Sequence, residues 1–316
     1  MPRHHADDPQ GPCAQAGRAA GQGGRSQAMT APKAWQLSEL QHAAEVAWPG
    51  FALQWLDEVD SSNSELMRRC ANGVAAPCLL LAGRQSAGRG RLGKPWHGDP
   101  EASLAMSLGV PLAPADWSGL SLAVGVALVQ ALMRLPHAQP LPPARAQRLG
   151  LKWPNDLWLM DARGQGRKMA GILIETAACQ QPHDGSVTAA PAARYVVIGI
   201  GLNLRQQALP DLSVPMASVA EWTGLPPQPG QLLGQFVPAL LQALRRFEHQ
   251  GFAAFRQAFA ACDLLHGRQL QLSDGRQGLG AGVDATGELL LDGGDGAVER
   301  VISGEVSVRP LAQAPV

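Results

Sequence analysis

Apolar residues recur every third or fourth position in two stretches, which is the spacing of a helix with one buried face. The first runs from Leu120 to Leu132 and the second from Leu233 to Phe247. Pro238 interrupts the second pattern, so we expect a kink or a helix start there. Ser62-Asn63-Ser64-Glu65 has the form of a capping box and predicts a shorter helix that ends before Gly73.

Apolar runs bounded by glycine, proline or polar residues predict five strands in the first two thirds of the chain. They are Cys78 to Ala82, Ser103 to Val110, Arg148 to Leu159, Lys168 to Glu175, and Tyr195 to Leu204. After about Leu264, short alternating segments separated by turns such as Asp274-Gly275 predict a small β-barrel. Helices and strands upstream follow no regular βα alternation, which indicates an α+β fold with a mixed sheet.

The 316 residues are enough for one main domain and a small second one. We expect a disordered tail at 1–34, which is rich in Gly, Ala, Arg and Gln, then a main domain at 35–262 and the barrel at 263–316. The tail lacks the apolar segment of a signal peptide, and no span is long and apolar enough to cross a bilayer.

Charge and cysteine content exclude several classes of protein. Lys+Arg and Asp+Glu both total 26, so the net charge is zero, whereas a general nucleic-acid binder usually carries a basic excess. The five cysteines are odd in number and none stand in CxxC spacing, which argues against a disulfide framework and a structural zinc site. Reduced thiols in the cytoplasm are the simplest interpretation.

The segment from Gln85 to Trp96 is a glycine-rich loop that carries two arginines. It fits GxGxxG and GxxxxGK formally, but Pro95 breaks the helix that a dinucleotide or P-loop site needs directly afterwards, and both interpretations fail. Arg89 and Arg91 offer permanently charged donors suited to carboxylate and phosphate oxygens. A solvated hairpin tip is the alternative, since exposed arginines are common.

Three further motifs in the sequence are each weak evidence for a binding site when taken alone. Pro154 in Lys152-Trp153-Pro154-Asn155-Asp156 aims Asn155 and Asp156 at one point, although an ordinary Asx turn gives the same pattern. Lys168 opens an apolar strand, where it either marks a sheet edge or stabilises phosphate charge. The glycines of Gly199-Ile200-Gly201-Leu202-Asn203 leave room for a nucleotide base against the backbone, with Asn203 bonding the base.

Together these motifs resemble the biotin–protein ligases, also called biotin–acetyl-CoA-carboxylase ligases. The matching residues, in the family's order, are Asp60 to Asn63, Gln85, Gly88 to Arg91, Lys152 to Asp156, Lys168 to Glu175, and Gly199 to Leu204. The similarity covers about residues 50 to 310. It implies a catalytic biotin- and ATP-binding domain related to class II aminoacyl-tRNA synthetases, followed by an SH3-like barrel.

The resemblance also implies roles for individual residues. Biotin is expected to contact Ser61, Ser62, Asn63, Gln85, Gly88, Arg89, Gly90, Arg91, Lys168 and Gly171. The nucleotide is expected to contact Arg89, Arg91, Trp96, Lys152, Asn155 and Asn203. Catalysis is assigned to Lys168, Arg89, Arg91 and Asp156. Asp156 either binds magnesium or receives the proton of the acceptor lysine, and the sequence leaves both roles open.

The implied reaction joins biotin to AMP at the expense of ATP, with Mg²⁺ as cofactor, and then passes biotin to a lysine of a biotin carboxyl carrier protein domain. Neutralising the crowded phosphates needs cations, and a closing loop must keep water from the mixed anhydride. The resemblance leaves a homodimer open. It involves no membrane and, because only about 50 residues precede the expected catalytic part, no DNA-binding helix-turn-helix.

Two departures from the family pattern lie in the loop region: Leu92 stands where some relatives have another basic residue, and Trp96 to Pro100 replaces a commoner aromatic-Ser-Pro run. The alternatives are a lipoate or octanoate ligase or transferase of the same fold, a non-catalytic biotin-sensing regulator, and a biotin acceptor. The acceptor's Met-Lys-Met signal is absent, since Arg167 precedes Lys168. Gln85 and the arginine loop favour biotin over lipoate.

Overall fold

A computed structural model describes residue 35 and residues 37–140, 148–178, 193–207, 214–294, 297–302 and 307–311. The expected disordered tail and most of the connection after Ala178 lie outside these ranges. The described helices are α1 Leu37–Ala47, α2 Ser62–Ala71, α3 Leu120–Leu132, α4 Val219–Thr223, α5 Pro229–Gln250 and α6 Arg256–Ala260. None of them is both long and apolar enough to cross a bilayer.

A seven-stranded mixed sheet forms the centre of the molecule. Its strands are β1 Ala52–Val59, β2 Cys78–Gln85, β3 Ser103–Leu112, β4 Leu149–Lys152, β5 Asp156–Met160, β6 Gly166–Ala178 and β7 Arg194–Asn203. They lie in the order β1-β2-β3-β7-β6-β5-β4, and only β1 and β2 run parallel. The helix α2 makes the crossover that a parallel pair requires.

A second, antiparallel sheet of five strands follows. Its strands are β8 Gln269–Leu272, β9 Gln277–Val283, β10 Leu289–Asp292, β11 Val298–Val301 and β12 Val308–Pro310, in the order β11-β10-β9-β8-β12. Inward leucines such as Leu270 and Leu289 belong to the same apolar core as α3 and α5. The α+β class and the second group of short strands are thereby confirmed, while the boundary between 262 and 263 stays a prediction.

Two expectations about individual elements are wrong. The run from Arg148 to Leu159 is two strands, because Trp153-Pro154-Asn155 turns the chain and pairs Lys152 with Asp156 across a hairpin. The helix start that we allowed at Pro238 is also wrong, since α5 begins at Pro229 and continues through Pro238, while a kink there stays a prediction. A proline inside a helix removes one backbone donor, and the packing of α5 against α1 and α3 outweighs that loss.

Helix α2 begins one residue earlier than the capping box suggested. The N-cap is Ser61, whose hydroxyl accepts a hydrogen bond from the Ser64 backbone N–H at 3.4 Å. The helix ends at Ala71, and the chain reverses at Gly73 with φ of 82°. This start places Ser62 and Asn63 in the first turn, where both are buried against the sheet.

Candidate active site

The alternation of side chains along β7 creates an open space on one face of the large sheet. Tyr195 and Val197 point toward α2 and pack beneath it with Leu66. The next two residues on that face are Gly199 and Gly201, because side chains alternate along a strand. With no side chains there, the sheet forms the floor of a cleft beyond the start of α2.

The cleft encloses about 470 Å³, part of it open to solvent. Predicted site residues that line it are Ser61, Ser62, Asn63, Gln85, Arg89, Gly90, Arg91, Trp96, Asn155, Lys168 and Gly171. Four other predicted residues do not line it: Gly88, Lys152, Asp156 and Asn203. The structure thus brings together residues that are more than 100 positions apart, while the role of each stays a prediction.

One end of the cleft is polar and rigid. Gln85 Oε1 accepts a hydrogen bond from the Ser62 backbone N–H at 2.7 Å and lies 3.0 Å from the Ser62 hydroxyl. The Ser62 hydroxyl lies 2.7 Å from that of Ser107, which is fully buried on β3. A fixed set of amide and hydroxyl groups can recognise a small polar ring that both donates and accepts hydrogen bonds.

Trp96 closes the loop against the floor of the cleft. A Cβ on Gly201 would lie 2.3 Å from the Trp96 ring, and one on Gly88 would lie 2.6 Å from the Trp96 carbonyl oxygen. Gly199 is covered by Asn63, whose Oδ1 would be 2.3 Å from an added Cβ. These glycines permit a close approach, as expected, but protein side chains occupy the positions that the sequence suggested for a nucleotide base.

The two loop arginines have different partners. Arg89 Nη2 donates to both carboxylate oxygens of Glu175 at 2.9 Å. Arg91 Nη1 donates to Asn155 Oδ1 at 3.2 Å, and Asn155 is itself fixed by donation to the Ile172 carbonyl. Burial lowers the pKa of Arg91, an effect that the nearby Asp156 carboxylate opposes. Since a guanidinium keeps its proton well above neutral pH, the loop brings a permanent charge to the cleft.

Lys168 brings a second cation close to Arg91. Its Nζ lies 2.7 Å from Asp156 Oδ1, and both groups are partly shielded from water. Gly171, the partner of Asp156 across β5 and β6, leaves the space for this contact, because an added Cβ would lie 2.9 Å from the ammonium. A carboxylate behind the lysine holds the ammonium at the wall of the cleft.

Lys152 lies behind this pair. It is only 8% exposed, and its ammonium sits 5.2 Å from the centre of the Trp158 ring. Burial lowers its pKa to about 8, Asp156 opposes the shift, and Lys168 and Arg91 add to it. Although Lys152 does not line the cleft, its positive charge adds to the positive electrostatic potential that Arg91 and Lys168 create there.

The small sheet supports the turn that carries Asn155 and Asp156. Trp153 is fully buried, and its indole N–H donates to the Gly287 carbonyl between β9 and β10 at 3.0 Å. The Leu151 N–H donates to the Cys262 carbonyl at 2.7 Å. These contacts anchor β4 and its turn from outside the large sheet.

Asn203 serves the fold in this structure. Its amide nitrogen donates to the carbonyls of Lys168 and Ala217, at 3.1 and 3.2 Å. This links the start of β6 to the segment before α4. Binding of a nucleotide by Asn203 stays a prediction, because the amide nitrogen bonds to backbone carbonyls of the protein itself.

A dedicated metal cage is absent from the described ranges, where no three His, Cys, Asp or Glu side chains converge. Asp156 is the carboxylate nearest the two cations of the cleft, and its Oδ1 is buried. Magnesium in nucleotide sites is commonly held by one or two carboxylates together with phosphate oxygens. The donor set therefore fits a magnesium ion that arrives with a nucleotide.

Sequence reasoning missed part of the lining and two supporting residues. The missed lining residues with side chains are Met106, Ile172, Leu173 and Ile200. Ser107 and Glu175 hold lining residues by hydrogen bonds. A signal for Ser107 was present, because it is a polar residue inside an apolar strand that has to find a partner when buried.

Comparisons with known proteins agree with this geometry. A family model described as the biotin/lipoate A/B protein ligase family matches residues 59–191. The bifunctional ligase/repressor BirA of Escherichia coli is 30% identical over 266 residues, covering 82% of this chain and 75% of that protein. The biotin–[acetyl-CoA-carboxylase] ligase of Paracoccus denitrificans is 32% identical over 247 residues, covering 75% of this chain and 93% of that protein.

A search of solved structures finds the same similarity in three dimensions. The biotin protein ligase from Aquifex aeolicus in complex with biotin and ATP superposes with a TM-score of 0.63 at 25% identity. The match covers 82% of this chain and 99% of that one.

Proposed function

The chain belongs to the biotin/lipoate A/B protein ligase family, and on that premise we propose that it activates biotin with ATP and transfers it to a lysine of a biotin carboxyl carrier protein. The observation that carries this proposal is a single cleft with a polar end at Ser62 and Gln85 and a cationic wall at Arg91 and Lys168. The relatives named as biotin ligases, one of them solved with biotin and ATP, support the choice of substrates.

In the first step the biotin carboxylate attacks the α-phosphorus of ATP, which forms biotinyl-AMP and releases pyrophosphate. The nucleophile is already an anion, so the protein has no proton to remove. Its task is to hold two anionic groups together, and Arg91 and Lys168 offset their repulsion. Asp156 and the phosphates would hold Mg²⁺, which would neutralise further charge on the leaving pyrophosphate.

In the second step the carrier lysine attacks the acyl carbon and AMP leaves. The amine must lose a proton, and Asp156, which lies behind Lys168, is the proposed acceptor. The mixed anhydride reacts with water, so the loop from Gly88 to Trp96 has to cover it between the two steps. The roles of Asp156 as magnesium ligand and as proton acceptor exclude each other within one step but not across the two.

The polar end of the cleft favours biotin over lipoate. A ureido ring presents two N–H donors and one carbonyl acceptor, and Ser62, Asn63 and Gln85 offer complementary groups at fixed positions. A dithiolane or an alkyl chain would offer no acceptor to the Gln85 NH₂ group, which is costly. Isothermal titration with each acid distinguishes the two substrates: measurable binding of lipoate but not biotin would contradict the assignment.

The finer architecture is proposed with the function. Residues 35–262 form the catalytic domain of class II aminoacyl-tRNA synthetase type, and residues 263–316 form an SH3-like barrel. The order of strands and the five short antiparallel strands support these names. The enzyme works in the cytoplasm, binds no nucleic acid, and forms a homodimer or acts alone.

The direct test is transfer of labelled biotin to an isolated carrier domain. Label should appear on the carrier only when ATP and Mg²⁺ are both present, and pyrophosphate should form in proportion. A carrier whose target lysine is replaced by arginine is the matched control. Transfer without ATP, or pyrophosphate release that does not depend on biotin, would contradict the proposal.

A further inference from the structure

Glu175 connects the glycine-rich loop to the polar end of the cleft. It lies on β6, and its carboxylate accepts hydrogen bonds from Arg89 on the loop and from the amide nitrogen of Asn63 on α2. The distance is 2.9 Å for each contact. Its side chain is 25% exposed, so solvent competes only partly for these bonds. The function proposed above gives this residue no task.

The carboxylate of Glu175 determines the direction of a chain of hydrogen bonds. An ionised carboxylate only accepts, so Asn63 has to present its NH₂ group there and its Oδ1 toward Ser107. The Ser107 hydroxyl lies 2.6 Å from that Oδ1 and must donate its single proton to it. The Ser62 hydroxyl lies 2.7 Å from the Ser107 hydroxyl and 3.0 Å from Gln85 Oε1, so Ser107 and Gln85 meet at Ser62.

The far end of this chain is the amide of Gln85. Gln85 Oε1 accepts from the Ser62 backbone N–H at 2.7 Å and lies 3.0 Å from the Ser62 hydroxyl. The NH₂ group of Gln85 is therefore the end of that amide left to act as a donor toward a ligand. A ring carbonyl, such as that of a ureido group, is the complementary acceptor.

The same carboxylate anchors the loop. Within the loop, the Gly90 N–H donates to the Lys94 carbonyl at 2.7 Å and the Trp96 N–H donates to the Gly88 carbonyl at 2.8 Å, which closes a small hairpin. Arg89 projects from this hairpin to Glu175 on β6. The ion pair is thus a tether between the loop and the floor of the cleft.

We propose that Glu175 is a positioning residue with two tasks: it tethers the loop through Arg89, and through Asn63 and Ser107 it positions Ser62, which holds the Gln85 amide with its donor toward biotin. The second task rests on the proposed function. The first task holds for the empty protein, whatever the ligand is.

The central variant is Glu175→Gln, which keeps the shape of the side chain but adds a donor and removes the charge. We expect the KM for biotin to rise about tenfold, which corresponds to about 1.4 kcal/mol. At saturating biotin, single-turnover pyrophosphate release should change by less than about threefold, because the cationic wall is intact. A general structural defect would instead lower the active fraction and leave the KM of the remaining enzyme unchanged.

Glu248→Gln is the matched control. Glu248 on α5 is 18% exposed and also accepts from a guanidinium and an amide, those of Arg245 at 3.5 Å and the Ala113 backbone at 3.0 Å. It does not line the cleft. The control should leave the KM for biotin unchanged, and an equal rise in both variants would overturn the proposal.

Two further variants separate the tasks and keep the test valid if Glu175→Gln does not fold. Arg89→Gln should speed tryptic cleavage after Arg91 in the ligand-free protein about tenfold, as Glu175→Gln should, and the double variant should add nothing more. Ser107→Ala should weaken biotin binding while cleavage of the loop stays at the wild-type rate. Unchanged cleavage in Arg89→Gln, or unchanged biotin affinity in Ser107→Ala, would refute the corresponding task.

These readouts also separate this inference from the proposed function. If the wild-type protein transfers no biotin, the proposed function fails, whereas the loop tether is still tested by proteolysis. If the wild-type protein transfers biotin and Glu175→Gln matches it in KM and in cleavage rate, only the assignment of Glu175 fails.

Discussion

Replacing Lys168 by alanine tests the cationic wall of the cleft. The ammonium lies 2.7 Å from Asp156 Oδ1 and lines the cleft, so it is placed to contact the reacting carboxylate and phosphate. Removing one charged donor that stabilises developing charge typically lowers the rate by about 10²–10³, or about 2.7–4 kcal/mol. We therefore expect Lys168→Ala to slow the single-turnover release of pyrophosphate by at least about a hundredfold.

The fold should survive this change. The ion pair is partly exposed, 33% at Lys168 and 16% at Asp156, so its loss should lower the free energy of unfolding by about 1 kcal/mol. Urea unfolding measures that loss, and a quenched-flow assay of pyrophosphate measures the rate. Lys94→Ala, which removes an exposed lysine of the loop, is the matched control. Release of pyrophosphate by Lys168→Ala at the wild-type rate would refute the role of the ammonium.

Three other changes have defined outcomes. Arg91→Ala should speed the escape of biotinyl-AMP, measured by filtration, by about tenfold or more, since a charge-assisted bond contributes about 1.5–3 kcal/mol; unchanged retention would count against a closing loop. Lys152 has a folded-state pKa of about 8, below the unfolded value of 10.5, so between these values the unfolded chain binds more protons and stability rises with pH. Between about pH 7.5 and about pH 9.5, the free energy of unfolding of the wild type, measured by urea titration, should rise by about 1–2 kcal/mol more than that of Lys152→Met. If the two proteins show the same dependence of this free energy on pH, the lowered pKa of Lys152 is contradicted. Trp153→Phe should lower the free energy of unfolding by about 1–3 kcal/mol, because it leaves the Gly287 carbonyl unpaired. Trp222→Phe is the control, since it introduces a smaller ring at another fully buried site. Equal losses in the two variants would refute the contribution of the bond.

The sequence predicted those parts of the fold that depend on local spacing. The period of α3 was visible because one buried face imposes a repeat on the chain, and β7 was visible as a nearly continuous apolar run. The hairpin between β4 and β5 was missed, because four consecutive buried residues on either side of a turn, 149–152 and 157–160, look like one long strand. The continuation of α5 through Pro238 was missed because tertiary contacts, which spacing does not reveal, outweigh a lost backbone bond.

For the site, the sequence identified residue types but not pair contacts. Charged residues in a glycine-rich loop and at the start of a strand were recognisable, and the cleft gathers Arg89, Arg91 and Lys168. That Arg89 binds Glu175, and that Trp96 covers Gly201, depends on the register of β3, β6 and β7. A one-residue slip of any of these strands would turn its side chains to the other face, so such contacts do not follow from motif spacing.

The central claim is that Arg91 and Lys168 face a carboxylate and a phosphate that meet in this cleft. A crystal structure of the protein with a non-hydrolysable biotinyl-AMP analogue tests it most directly. We expect the Lys168 ammonium within hydrogen-bond distance of the acyl-phosphate group, the ureido ring beside Gln85, and the loop closed over both. An analogue bound elsewhere, or one bound with the loop open and the ammonium still directed only at Asp156, would contradict it.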